Sequence, residues 1–178
     1  MDRKQNIEII RVTYMRIMQL YFNWKFISTM VANPIIENHY PDLTWSLKSS
    51  FATDAYTTIC SLLSTGNYSF GRLGQECREI QKQIQTTEQN IDIEIPNFKN
   101  IRNQIFCHAV KRKSPDVINK IYLKFGSIFR ILTDLHLLCC QELNVKDDDY
   151  EPYNPNTLKS LNDEINDFGN MLLEYSLK

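Results

Sequence analysis

The sequence predicts an all-α fold, an up-down bundle of about five to six helices in one domain spanning residues 1–178. Only 5 glycines and 6 prolines occur among 178 residues, which leaves few turns and favours long elements. Apolar residues recur at three- and four-residue spacing through most of the chain, as on one face of a helix. A single short segment, 91–96, alternates in the manner of a strand, and nothing else in the sequence offers it a partner.

The first half of the chain predicts three helices. Apolar side chains recur at helical period from Ile10 to Met30, and Pro34 ends that first row because the residue before a proline disfavours helical geometry. A short connection, 35–42, leads to a second helix whose buried face begins at Trp45. A narrower apolar row after Ser69 predicts the third helix. The predicted ranges are 3–32, 43–65 and 69–90.

The second half begins with the segment that alternates apolar and polar residues, 91–96, which we interpret as an extended connector. Asn97 follows it as the expected N-cap of a fourth helix. Ser114 and Pro115 form a start signal for a fifth helix, since proline is well tolerated in a first turn. Asn154-Pro155-Asn156 opens the last one. The fourth and fifth helices are predicted over 98–110 and 115–143.

Charge and cysteine usage narrow the class of protein. The formal net charge is −1, so any nucleic-acid binding must come from a local patch. The five cysteines form no CxxC pair and are odd in number, which suits a reducing cytoplasm. The first residues lack a signal-peptide pattern, and the most apolar run, 15–31, is interrupted by charged and amide side chains. We therefore expect a cytoplasmic protein with no membrane partner.

The densest group of chemically useful side chains lies in Ile101–His108, on the predicted fourth helix. It contains Arg102, Asn103 and His108, and the basic run (Lys111, Arg112 and Lys113) follows directly. His108 is six positions after Arg102, and six steps of about 100° leave the two side chains about 120° apart on a straight helix. The two side chains can converge if the helix frays near His108, or if two copies of the helix meet across a dimer axis.

Arginine and histidine together suit RNA cleavage by the ribose 2′-hydroxyl. Histidine can act as general base or acid near neutral pH. Arginine can hold a phosphate with two hydrogen bonds and stabilise the charge of a pentacovalent transition state. That reaction requires no metal or other cofactor, and we expect none. The basic run is expected to bind RNA phosphates beside the reacting group.

The pattern Arg102-Asn103-x4-His108 resembles the signature of the HEPN superfamily, all-helical ribonucleases and nucleotide-binding domains. That signature is an arginine, four to six residues and a histidine, commonly with a polar residue after the arginine. The order of helices resembles the abortive-infection and toxin branch. The resemblance implies a homodimer whose composite cleft cleaves RNA, with Arg102, Asn103 and His108 catalytic. It also implies a toxin or phage-defence role, with an antitoxin protein as partner.

Two alternatives concern the function and the motif. The chain could be a non-catalytic relative of the same fold that binds a protein or nucleotide partner. Arg130 and His136 repeat the spacing of the motif, but apolar residues surround them and no polar residue follows the arginine. We interpret that pair as structural, with His136 a core histidine that makes a local hydrogen bond.

A zinc site is the third alternative. His136 and Cys139 share one helix face, and Cys107 with His108 could complete four ligands. Adjacent residues on a helix point in different directions, however, so Cys107 and His108 are poorly suited to one metal ion. We expect no metal site.

Overall fold

The computed structural model describes residues 1–31, 34–101, 115–150, 163–167 and 170–171. Within these ranges every regular element is a helix, so the all-α fold class is confirmed. Of the helices whose two ends the structure describes, four are long and four are short. The long ones are α1 (Arg3–Val31), α3 (Pro41–Leu63), α5 (Arg78–Glu94) and α6 (Pro115–Glu142). The short ones are α2 (Pro34–His39), α4 (Phe70–Gly74), a 3-10 helix (Phe98–Asn100) and α7 (Asp147–Tyr150).

Consecutive long helices run in opposite directions. Tyr122, in the first third of α6, donates a hydrogen bond of 3.1 Å to Ser28 near the end of α1. The Tyr122 ring also contacts Phe51, in the first half of α3. Lys124, two residues further along α6, pairs with Glu94 at the end of α5, at 3.2 Å. The ends of α1 and α5 therefore lie at the same end of the bundle as the beginnings of α3 and α6.

The core forms around α6, which packs against all three other long helices. Phe125 is fully buried, and its ring meets Phe51 edge-on at 4.9 Å between centroids and Trp24 at 5.9 Å. Ile118, Ile121, Ile128, Leu132 and Leu135 extend the same buried row along the helix. Burying one such side chain contributes about 1.5–3 kcal/mol, so this row is a main source of stability.

The connection predicted over 35–42 is wrong, because α2 forms there. Pro34 begins the helix, a position where the fixed φ of proline is already helical. Ile36 is buried and anchors the short helix on the bundle. Trp45 was expected on the buried face of α3, yet it lies on the exposed side in the first turns of that helix.

The single helix predicted over 69–90 is also wrong, because the chain breaks between α4 and α5. Ser69 caps α4 by accepting a hydrogen bond from the Arg72 N–H, and Cys77 is extended at φ −126° before α5 starts. A Cβ on Gly71 would lie 2.0 Å from the Ser64 carbonyl oxygen, and one on Gly74 would lie 2.9 Å from Ile84. The two glycines thus allow α4 to pack closely between the end of α3 and α5.

The extended connector predicted over 91–96 is wrong as well, since α5 continues to Glu94. Ile91 is fully buried in line with Ile84, whereas Ile93 is 76% exposed, so the period is helical. Asn97 occupies the N-cap position of the 3-10 helix, as predicted, but it adopts a left-handed conformation, which asparagine tolerates, and its side chain makes no capping hydrogen bond. The Asp92 carboxylate instead accepts the Phe98 N–H at 2.8 Å.

The fifth predicted helix is confirmed as α6, and the other late elements are described in part. Residues 98–100 form a 3-10 helix and Ile101 a turn, and residues 102–110 of the fourth predicted helix lie outside the described residues. Residues 163–167 of the last predicted helix are helical, and Ile165 packs against Met18 and Phe22 of α1. Among the helices that the structure describes, none is both long and apolar enough to span a membrane.

Candidate functional site

The predicted catalytic and RNA-binding residues lie outside the described part of the chain. Arg102, Asn103 and His108 and the basic run all fall in residues 102–114, which we call the motif segment. The structure does describe the two residues that flank it. Ile101 is buried beside the 3-10 helix, and Pro115 begins α6. The surroundings of these two residues are therefore the described parts of the candidate site.

A groove lies between α3 and α5, and we call it the α3–α5 groove. Its volume is about 660 Å³. The end of α3 forms one wall, α5 forms the second, and the residues around the 3-10 helix form the third. Cavities of 300–1,000 Å³ are typical of sites for small ligands or single groups of larger ones. The lining residue closest in sequence to the motif is Asn100, two positions before Arg102.

The third wall of the α3–α5 groove is held from two sides. The Phe98 ring packs on Tyr56 of α3 at 4.9 Å between centroids, and the Tyr56 hydroxyl donates to the Lys99 carbonyl oxygen at 3.3 Å. From α5, Asp92 accepts the Phe98 N–H, and Glu88 pairs with the Lys99 ammonium at 2.7 Å. These contacts fix the backbone that leads directly into the motif segment.

Charges in the α3–α5 groove nearly cancel. Glu88 and Lys99 neutralise each other as an ion pair, which leaves the single negative charge of Asp92 among the lining residues. A phosphate would be repelled by that carboxylate rather than attracted. The groove is therefore not itself a phosphate site, and the expectation of phosphate contacts remains with Arg102 and the basic run.

The second arginine–histidine pair is described in full, and its members lie on different faces of α6. Arg130 is exposed, whereas His136 is 2% exposed. His136 Nε2 lies 3.1 Å from the Tyr150 hydroxyl and 3.5 Å from the Cys140 thiol. Its ring also packs on Tyr14 of α1 at 5.0 Å between centroids. The prediction of a core histidine with a local hydrogen bond is confirmed.

The hydrogen bonds around His136 determine which ring nitrogen carries the proton. Tyr150 donates its hydroxyl proton to Asp147 at 3.1 Å, so the contact with His136 requires Nε2–H as donor. Nδ1 is then an unprotonated buried nitrogen with no hydrogen-bond partner. Burial lowers the pKa of His136 to about 4, although the charge of Asp147 opposes this shift. His136 is therefore neutral at physiological pH and links α7 to α6.

The described cysteines offer no metal site, and two of them are poor nucleophiles. None of Cys60, Cys77, Cys139 and Cys140 forms a disulfide in the described part of the chain. Burial raises the pKa of the Cys139 and Cys140 thiols, which suppresses the reactive thiolate. In the described ranges, no three His, Cys, Asp or Glu side chains are grouped so that they could hold a metal ion.

An exposed patch occupies the junction of α2 and α3, at the end of the bundle where α6 begins. It consists of Tyr40, which is 61% exposed, and Leu43, three positions further along the chain. We call these two residues the α2–α3 patch. Trp45 is also exposed, but it lies two positions after Leu43 and therefore on a different side of α3. Nearby, Lys48 of α3 pairs with Glu37 of α2 at 3.3 Å.

Comparison of the chain with protein-family models, with curated proteins and with solved structures found no significant match.

Proposed function

We propose that this protein is a metal-independent endoribonuclease with a composite site formed by two copies of the chain. The observation that carries the proposal is the pattern Arg102-Asn103-x4-His108, followed directly by the basic run. The resemblance of this pattern to the HEPN signature supports it. The all-helical bundle is compatible with that superfamily. Arg130 and His136, the other pair with the same spacing, lie on different faces of α6, so they are poor candidates for one catalytic site.

Each motif residue has a role in the proposed reaction. His108 takes the proton from the ribose 2′-hydroxyl and returns a proton to the leaving 5′-oxygen. Arg102 binds the scissile phosphate and stabilises its additional negative charge in the transition state. Asn103 orients the phosphate by donating a hydrogen bond from its amide N–H, or orients the arginine by accepting one at its amide oxygen. The basic run binds neighbouring phosphates and supplies affinity that does not depend on sequence.

The proposed homodimer follows from the geometry of a straight helix. Six residues place Arg102 and His108 about 120° apart, so one regular helix cannot bring both to one phosphate. Two antiparallel copies across a symmetry axis would supply both groups from both chains. A toxin or phage-defence role, with an antitoxin that covers the cleft, is the biological setting we propose for such an activity.

A cleavage assay in EDTA with light scattering tests this proposal. Purified protein is incubated with structured RNA, and the product ends are analysed. We expect a dimer and products that end in 2′,3′-cyclic phosphate, because the 2′-oxygen is the nucleophile. A strict monomer would remove the composite site. Products with 3′-hydroxyl ends would show that water, and not the ribose, attacks the phosphate.

A second candidate function is favoured by the α2–α3 patch. Exposed aromatic residues next to aliphatic ones are typical of protein-binding surfaces. A non-catalytic helical module that binds a protein or nucleotide partner would use such a surface without the motif. Tyr40→Ala/Leu43→Ala would then abolish partner binding, whereas His108→Ala would have no effect on it.

A further inference from the structure

The polar side chains that line the α3–α5 groove can bind an uncharged group through hydrogen bonds. Gln85 and Gln89 are one turn apart on α5, and Asn100 lies on the third wall, formed by the residues around the 3-10 helix. An amide side chain presents a donor and an acceptor side by side, which matches the edge of a nucleobase. Leu63, which is partly exposed, adds apolar surface that can contact the face of a planar ring.

Charge distinguishes a base from a phosphate as the occupant of this groove. The carboxylate of Asp92 disfavours an anion, but it can accept a hydrogen bond from an exocyclic amino group. One of its oxygens already accepts the Phe98 N–H, and the second is not used in that bond. The Glu88–Lys99 ion pair keeps the remaining wall neutral. A neutral group with amino and carbonyl edges therefore fits better than a phosphate.

We propose that the α3–α5 groove binds one unpaired base of the RNA, next to the phosphate that is cleaved, and so sets the sequence preference of the enzyme. This inference rests on the proposed ribonuclease function. The position of the groove in the chain supports it, because Asn100 precedes Arg102 by two residues. The contacts that hold the 3-10 helix also fix the backbone between the groove and the start of the motif segment, so that a base bound in the groove would have a defined position along the chain relative to Arg102.

Cleavage of an RNA library with randomised positions tests the proposal. The wild type is compared with Gln85→Ala/Gln89→Ala and with Asn100→Ala. Asn90→Ala is the matched control, an exposed α5 residue that does not line the groove. We expect the wild type and the control to prefer one base beside the cleaved bond. Both groove variants should lose that preference by roughly five- to 150-fold, the range for a bidentate amide–base contact.

Two results separate failure of this inference from failure of the proposed function. RNA cleavage with an unchanged base preference in both groove variants would overturn the groove proposal and leave the ribonuclease intact. If the wild type cleaves no RNA, binding of the four nucleoside monophosphates is measured by NMR. Selective binding of one, lost in Gln85→Ala/Gln89→Ala but kept in Asn90→Ala, would support a base site in a non-catalytic module. Binding of none would overturn it.

Discussion

The buried His136 makes the stability of the protein depend on pH. The folded protein holds this imidazole neutral, because protonated Nδ1 would be a buried donor with no acceptor. The unfolded chain takes up a proton near pH 6.5, whereas the folded state does so only near its pKa of about 4. Between these two values the unfolded state binds more protons, so the free energy of unfolding falls as pH falls.

The expected size of the effect follows from the two pKa values. Each pH unit between them changes the free energy of unfolding by about 1.4 kcal/mol. Integrated from pH 7 to pH 5, the contribution of His136 is a loss of about 2 kcal/mol. The stabilisation is fully present above about pH 6.5 and is lost progressively towards about pH 4. This loss is a large fraction of the stability of an ordinary domain.

Urea unfolding of the wild type and His136→Gln at pH 7 and pH 5 measures this contribution. Glutamine can still donate to Tyr150 but does not titrate in this range. We expect the variant to be less stable at pH 7 and the difference to shrink by about 2 kcal/mol at pH 5. Asn90→Ala, at an exposed position of α5 that does not titrate, should follow the wild-type profile. Parallel pH profiles for wild type and His136→Gln would refute the reasoning.

Three further predictions concern packing and the basic run. Gly71→Ala should destabilise the protein by about 1–3 kcal/mol in urea unfolding, because its Cβ would meet the Ser64 backbone, whereas Gly66→Ala should change little. Phe125→Ala should remove about 3–5 kcal/mol, and Leu123→Ala, at a position 73% exposed, less than about 0.5 kcal/mol. Neutralising the whole basic run should raise KM far more than it lowers kcat and flatten the salt dependence of RNA binding. Unchanged affinity and salt slope would show that the run is an ordinary solvated turn.

The sequence predicts the two longest helices well because their apolar rows are long and clearly ended. α1 and α6 lie within one residue of the predicted bounds. The break between α4 and α5 was missed because the apolar row continues through it, with Phe70 and Ile80 both buried. Gly71 and Gly74 were the sequence signal for this break, because α4 packs too closely against its neighbours at these positions for a larger residue.

Two other errors have local physical causes. Ile93 is an apolar residue on the outer face of α5, and it gave 91–96 a false strand-like alternation. Asparagine is a common N-cap residue, yet the Asn97 side chain makes no capping hydrogen bond. The carboxylate of Asp92, in the last turns of α5, accepts the Phe98 N–H instead. The α3–α5 groove could not be predicted from the sequence either. Gln85 and Gln89 resemble ordinary solvent-exposed residues between the apolar positions of α5, and only the structure shows that they line a groove together with α3.

RNA cleavage in EDTA by four proteins tests the central claim most directly. The wild type and Arg130→Ala should cleave equally, because Arg130 is an exposed residue of the structural pair. Arg102→Ala and His108→Ala should each lower the rate by at least about 10²-fold, as expected for loss of a charge-stabilising group or a general base. The circular-dichroism spectra of all four proteins should stay the same. Full cleavage by Arg102→Ala and His108→Ala, or its loss in Arg130→Ala, would contradict the account.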